Sequence, residues 1–414
     1  MRNRARNLMI AVFLCSVVLL TSINIRGQEP TTMYSITDLG TLGNGSNSIP
    51  NWVTNSGDVL GFSETGQTNG FGFPIHHAFL WRRGVMKDLG TLGGDFSGAS
   101  GANEEGQVVG VANVTGGATS HAFLWDQGSM SDLGTLVGPA GFSFGSLING
   151  QGEVVGYSDS PDGNQHAVIW RDGVIADLNT LGGPNSFGFS INDRGQMTDG
   201  SQANNVVDPV VGFPLFHPVL WDEGAIMDLG TGLDGLGAVA FNINNRTQIV
   251  GRFAAPDPNV VRVAHAFLWA SGVMYDLGVP ADEQDSEALS LNDRGQTVGD
   301  SGMGFVESYN PDRALLWRLG DSAGKASAPI DLNTLIPPNS GYQLIQAVDV
   351  NDRGEIVVIA FQFSTGNVHA ALLTPQSSTS LANATGALPH VAPSLSWNAR
   401  RLLDQARQAR EGRK

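Results

Sequence analysis

Apolar residues in this chain fall in short runs of four to seven, cut apart by Gly, Asn and Asp, and the runs recur in a fixed order. A first run ends in Asn and a Gly-closed turn, as in Asn103–Gly106, Asn149–Gly152, Asn192–Gly195, Asn292–Gly295 and Asn351–Gly354, with Thr54–Gly57 and Asn244–Thr247 as variants. A β-branched run follows, such as Gln107–Gly110, Glu153–Gly156 or Glu355–Val358. The third run reads His-Ala-Phe-Leu-Trp at His77–Trp81, His121–Trp125 and His265–Trp269. It is varied at His166–Trp170, His217–Trp221, Arg313–Trp317 and His369–Leu373. The fourth carries Asp-Leu, at Asp38, Asp88, Asp132, Asp177, Asp228, Asp276 and Asp331, in steps of 44 to 55 residues. Such short apolar runs between turn residues predict strands, and the Gly-ended links predict hairpins. Each unit therefore holds four antiparallel strands, here named a to d, which is the content of a propeller blade.

The order of strands at the two ends separates a propeller from an open solenoid, which needs capping repeats. Tyr34–Gly40 is a d strand with no c strand before it, and the last unit has a, b and c but no d. The expected fold is all-β: a seven-bladed β-propeller of four-stranded antiparallel blades. The N-terminal strand Tyr34–Gly40 completes the last blade by pairing with His369–Thr374, so that no sheet edge is left bare.

Outside the repeats the pattern changes. Arg2, Arg4 and Arg6 precede an apolar run from Leu8 to Leu20, which reads as a secretory signal over 1–27, cleaved after Gly27, with an uncleaved anchor as the alternative. Residues 28–33 are a short linker and 34–375 the propeller. Residues 376–414 form a disordered tail, first rich in Ser, Ala and Pro and then basic through Arg400, Arg401, Arg407, Arg410, Arg413 and Lys414. The single Cys of the chain, Cys15, lies in the signal, so no disulfide is expected after cleavage. Export predicts a periplasmic or extracellular protein with no integral membrane domain once the signal is removed. With 54 Gly and 41% hydrophobic residues the chain has both the turns and the apolar material of a folded β protein. Between residues 31 and 375 there are 36 acidic and 13 basic side chains, which excludes nucleic acid as a partner.

The strings His-Ala-Phe-Leu-Trp, Asp-Leu-Gly-Thr-Leu-Gly-Gly (Asp88–Gly94) and Asn-Asp-Arg-Gly-Gln resemble the HAF family of extracellular bacterial repeats over residues 34–374. The resemblance implies secretion and a repeat fold, and brings no catalytic residues with it. The chain departs from the family pattern at Arg313, at Leu373 and in the long link Arg318–Ser327.

Residues that recur in every unit are expected to be structural, because one active site needs one copy of each group. Phe79, Leu80, Trp81 and their equivalents should pack between blades, with Met86, Met130, Met227 and Met274 in an outer layer. The c-strand His and d-strand Asp should meet across each hairpin. The pairs are His77 with Asp88, His121 with Asp132, His166 with Asp177, His217 with Asp228 and His265 with Asp276. Arg313 should meet Asp331, and His369 should meet Asp38 across the closure. These histidines sit on different blades, so no metal site is expected. The Asn turns lack the spacing of a calcium loop and read as plain hairpins. No cofactor is expected, since no Walker, dinucleotide, Gly-x-Ser-x-Gly or His-Glu-x-x-His motif occurs.

The links from b to c differ between units, whereas the a–b turns hardly do. Variable loops on a fixed frame suggest a binding face, and its candidate ligand residues are Phe71, Phe73, Phe213, Phe216, Asp257, Glu307 and Tyr309. The function expected is a non-catalytic binding scaffold, monomeric, for an extracellular glycan, peptide or envelope component. A polysaccharide-acting glycosidase or lyase, using carboxylates such as Asp208, Asp257, Glu283, Asp285 or Glu307, is the first alternative. A purely structural envelope protein is the second.

Overall fold

The computed structural model describes residues 33–117, 119–209, 212–231, 237–255, 263–301, 313–319 and 327–376. The expected signal and, beyond Gln376, the tail lie outside these residues, as do Asp257, Glu307 and Tyr309. Among the described residues no helix is long and apolar enough to cross a membrane.

Strands a to d follow in each unit as the sequence pattern orders them. The third unit shows the plan: Ser143–Ile148, Val154–Asp159, Gln165–Arg171 and Val174–Asp177, each antiparallel to the next. Among the described residues five sheets of four strands form in this way, and a sixth has eight strands because one parallel pairing, His76 with Phe96, joins units 1 and 2. The molecule is all-β, made of four-stranded antiparallel sheets of the propeller kind. Strand Tyr34–Asp38 takes the fourth place in the sheet of unit 7, beside Asn367–Pro375, with Tyr34 opposite Pro375 and Asp38 opposite Ala371.

The c strand shows why the units associate. Its alternate side chains are buried on both sides of the sheet. Ala78 and Leu80 join Ala99, Val108 and Phe123 of unit 2, while Phe79 joins Val357, Ile359 and Leu372 of unit 7. Clusters of this type lie between every consecutive pair of units, and one lies between unit 7 and unit 1. The core is therefore shared between sheets, and no unit could bury its apolar faces alone. Buried Trp170, Trp221 and Trp317 also donate their indole N–H to the carbonyls of Leu133, Leu178 and Leu277, the Asp-Leu leucines of the preceding units, at 2.8, 3.3 and 3.1 Å. Met86, Met130 and Met274 pack on these clusters, whereas Met227 is 52% exposed, contrary to expectation.

In five units one glycine of strand b makes a close approach to strand a. At Gly61, Gly110, Gly156, Gly251 and Gly299 a Cβ would stand 1.8–2.0 Å from a carbonyl oxygen of strand a. Units 4 and 7 have Asp199 and Val358 at that place, facing Val219 and Ala371 as Gly156 faces Val168. Strand a is cut to Ser190–Ile191 in unit 4 and runs from Tyr342 to Val350 in unit 7. Burial holds the Asp199 carboxyl well above the usual carboxylate range, with the Gly200 N–H opposing it.

Candidate binding sites at the two faces

The repeated polar residues build a frame. The Nδ1 atoms of His77, His121, His166 and His217 lie 2.8 Å from Asp88, Asp132, Asp177 and Asp228. His265 lies 3.0 Å from Asp276 and His369 2.9 Å from Asp38. The other role of each aspartate is to accept the backbone N–H two residues on, that of Gly40, Gly90, Gly134, Asn179, Gly230 or Gly278, at 2.7–2.8 Å. The pair thus pins the start of the d–a link to strand c. Arg313 differs from its expected pairing. Its guanidinium bonds Asp282 at 2.6 Å and Glu283 at 3.1 Å, and Asp331 adds only charge attraction. Asp331 instead caps the short 3-10 turn Leu332–Leu335.

The pair of His369 with Asp38 shifts its own titrations. Burial works to raise the Asp38 carboxyl, but hydrogen bonds from His369, Gly40 and Tyr342 outweigh it and hold the group below its ordinary 3.8. Burial works to lower His369, but Asp38 and the Ser46 carbonyl raise it above 6.5. The His369 contribution to stability is complete below 6.5 and is lost as pH rises through its raised value. That of Asp38 is present above 3.8 and is lost as pH falls through its lowered value. Urea unfolding of the protein and of His369→Gln should therefore differ most between pH 3.8 and 6.5, and the two curves should converge above that range. A gap that widened above pH 7 would contradict this assignment.

The Asn of each a–b turn does more than close a hairpin. In Asn292 the amide oxygen accepts from the N–H of Arg294 and Gln296, and the amide nitrogen donates to the Gln296 side chain and to the Asn351 carbonyl of the next unit. Asn103, Asn149, Asn192 and Asn244 reach the next unit's carbonyl in the same way, and Asn351 reaches that of Thr54 at 2.9 Å. The residue after this Asn makes a second series: the N–H groups of Asn55, Gly150, Asp193, Asn245, Asp293 and Asp352 donate to the side chains of Glu104, Asp193, Asn245, Asp293, Asp352 and Asn55.

Inside this frame the a strands line a cavity. Strand a carries a β-bulge at Asn51, Ser100, Ser146, Phe241, Leu289 and Val348, and each bulged residue is on the cavity wall. The narrow part holds about 110 Å³, with aromatic walls from Trp52, Phe189 and Phe241. Ser146 is 5% exposed and its hydroxyl has no hydrogen-bond partner. Buried Asp349 accepts from Val53 N–H and the Ser290 hydroxyl, tying units 1, 6 and 7 together. A wider part of about 480 Å³ opens among the a–b turns. Sequence reading missed this wall entirely. The one available signal was that the two positions preceding the last strand residue vary between units while their neighbours repeat.

At the other end of the a strands lie the b–c links. Phe71 is 88% exposed, Phe73 47% and Phe213 39%. Phe363, at 48%, belongs with them, and Val206 and Val207 are exposed on the same hairpin as Phe213. Phe216 is half-buried against Phe187, at the end of an aromatic row through Tyr157 and Phe144. The described candidates, Phe71, Phe73, Phe213 and Phe216, thus fall on units 1 and 4 and are not gathered into one pocket. Among the carboxylates, Asp285 caps the Ala264 N–H at 2.8 Å and Glu283 pairs with Arg313, both in framework roles.

No protein-family model matches the sequence, and no curated protein matches it. Among solved structures, the β-propeller domain of the Trilobed protease from Pyrococcus furiosus is similar with a TM-score of 0.55 at 8% identity, over 86% of this chain and 99% of that one. The acylaminoacyl peptidase of Pyrococcus horikoshii gives 0.48 at 11% identity over 81% of this chain and 52% of that one. The BP39L lectin of Burkholderia pseudomallei gives 0.44 at 13% identity, over 87% and 99%. The first of these likenesses places the chain among proteins with the β-propeller fold.

Proposed function

We propose that the protein is an exported, HAF-like, seven-bladed propeller, closed by its N-terminal strand, that acts as a non-catalytic binding scaffold through the b–c links. Its ligand is an extracellular glycan, peptide or envelope component. Two observations support the closure. The pairing of Tyr34–Asp38 with Asn367–Pro375 fills the last sheet, and Asn351 reaches Thr54 as each other turn Asn reaches its successor. The observation that carries the binding reading is the exposure of Phe71, Phe73, Phe213 and Phe363 on b–c links, in a chain whose His-Ala-Phe phenylalanines Phe79, Phe123 and Phe267 are fully buried. Exposed aromatic faces stack on sugar rings or grip apolar peptide side chains, and lose water in doing so.

The test is a glycan and peptide array probed with the full chain, with product analysis of every positive spot. Binding without turnover supports the reading. Phe71→Ala with Phe73→Ala, or Phe213→Ala, should then weaken retention about tenfold or more while unfolding stays unchanged. Turnover that is lost with one carboxylate would replace the scaffold by an enzyme, and retention indifferent to all three substitutions would remove the b–c face from the binding site.

A further inference from the structure

The narrow part of the cavity holds a carboxamide that the frame does not use. After its bulge, strand a places Ser190, Asn242, Ser290 and Asp349 alike in units 4 to 7, opposite Thr198, Val250, Val298 and Val357 of strand b. Three of these four are spent on contacts between units. The Ser190 hydroxyl accepts the Ile243 N–H, and Asp349 accepts the Ser290 hydroxyl and the Val53 N–H. Asn242 is 7% exposed and lines both the narrow and the wide part of the cavity, yet among the described residues its carboxamide bonds to nothing. Neither its Oδ1 nor its Nδ2 is sealed in by protein, so the amide opens on the cavity. A buried amide keeps a free donor and acceptor only at a cost, which a ligand supplying both would recover. Around it stand aromatic side chains from four units, Trp52, Phe62, Phe144, Phe189 and Phe241. Among the described residues of this wall there is no Lys, Arg or His, and Asp349 is the one carboxylate.

We propose that the narrow part binds an uncharged single-ring aromatic amide, with the amide edge of the ligand against Asn242. A carboxamide presents an acceptor beside donors in one plane, and its complement is a group that does the same. An apolar pocket with one convergent polar group is the usual form of a small-molecule site. The ring of the ligand lies among the aromatic side chains in offset or edge-on contact. Size limits the ligand to one ring. A closed apolar cavity of about 150 Å³ takes benzene, and the narrow part holds about 110 Å³ before it widens. An anion is repelled by Asp349, and a cation finds that carboxylate already engaged. A monosaccharide has a hydroxyl on nearly every carbon, which aromatic walls would leave unpaired. The site lies apart from the b–c links, and its failure would leave their role untouched.

Ligand-observed NMR titration of the full chain with benzamide, beside toluene, benzoate and glucose, tests it. Saturable binding of one benzamide, with the other three at least about tenfold weaker, is the expected result. Asn242→Leu keeps the volume, removes the amide and strands no protein partner. It should weaken benzamide about tenfold and leave toluene unchanged, so that the preference between the two disappears. Leu289→Trp, which fills the narrow part, should abolish benzamide binding and is the independent variant should Asn242→Leu fail to fold. Phe71→Ala with Phe73→Ala should leave benzamide binding as it is. Benzamide and toluene binding alike, or benzamide unmoved by Asn242→Leu or Leu289→Trp in folded protein, would overturn the proposal. So would the absence of any benzamide signal, or its loss with the b–c phenylalanines.

Discussion

Deleting residues 33–40 should remove most of the protein's stability. Strand Asn367–Pro375 would lose its whole outer partner, since Tyr34 to Asp38 pair with Pro375 to Ala371. Tyr34 is 1% exposed and sits in the cluster that joins units 6 and 7, with Leu316, Leu332, Leu335 and Leu373. Burying such a ring is worth about 4–6 kcal/mol as an upper figure. The deletion also takes Asp38 from His369 and from the Tyr342 hydroxyl. Against a total stability of about 5–15 kcal/mol, losses of this size are close to the whole. The truncated chain is expected to unfold at least about 15 °C lower, or to be recovered as aggregate through its bare edge. Thermal unfolding followed by circular dichroism gives the answer, and an unchanged midpoint would mean that the first strand is dispensable.

Asn292→Ala should be strongly destabilising, as should the same change at the other turn asparagines that make the same four bonds. It deletes two acceptor bonds inside the turn and two donor bonds, one of them to the next unit, at a residue that is 4% exposed. The buried carbonyl of Asn351 loses that donor. With a net of about 1 kcal/mol per bond and the added cost of stranded buried groups, a loss of about 2–4 kcal/mol follows. Unit 1 supplies the control. Thr54 stands at the Asn place there, and its hydroxyl accepts the Asp58 N–H at 3.1 Å. Asn292→Thr should retain the turn bond and lose the reach to Asn351, so its loss should be about half that of Asn292→Ala. Chemical denaturation of the two variants separates turn from bridge, and equal losses would deny the inter-unit bond any weight.

The frame was legible in the sequence because it repeats. Apart from His369, each His of a His–Asp pair lies eleven residues before its Asp, the separation of a two-residue hairpin, so those pairings could be placed from spacing alone, while that of His369 with Asp38 needed the closure. Arg313 went elsewhere because Asp282 and Glu283, thirty or more residues earlier in the chain, come from a different link, and nothing local announces them. The exposed phenylalanines were legible as variable-link residues of units 1, 4 and 7, but their degree of exposure was not.

The cavity was hidden for a sharper reason. A regular strand turns alternate side chains to one face, yet the bulge in strand a sets a two-residue step against a one-residue step of strand b, as between Gly145 and Leu147. The alternation is broken where the wall is formed, and Ser146 and Leu147 both line the cavity. Sequence alone determined the unit, its four strands and the hairpin contacts within it, since these depend on neighbours at short range and fixed period. Only the tertiary structure decided which residues of seven separate strands face one another, which Asn bridges to the next unit and where the carboxylates gather. Those relations join positions some fifty residues apart, and the packing of sheet on sheet is what brings them together.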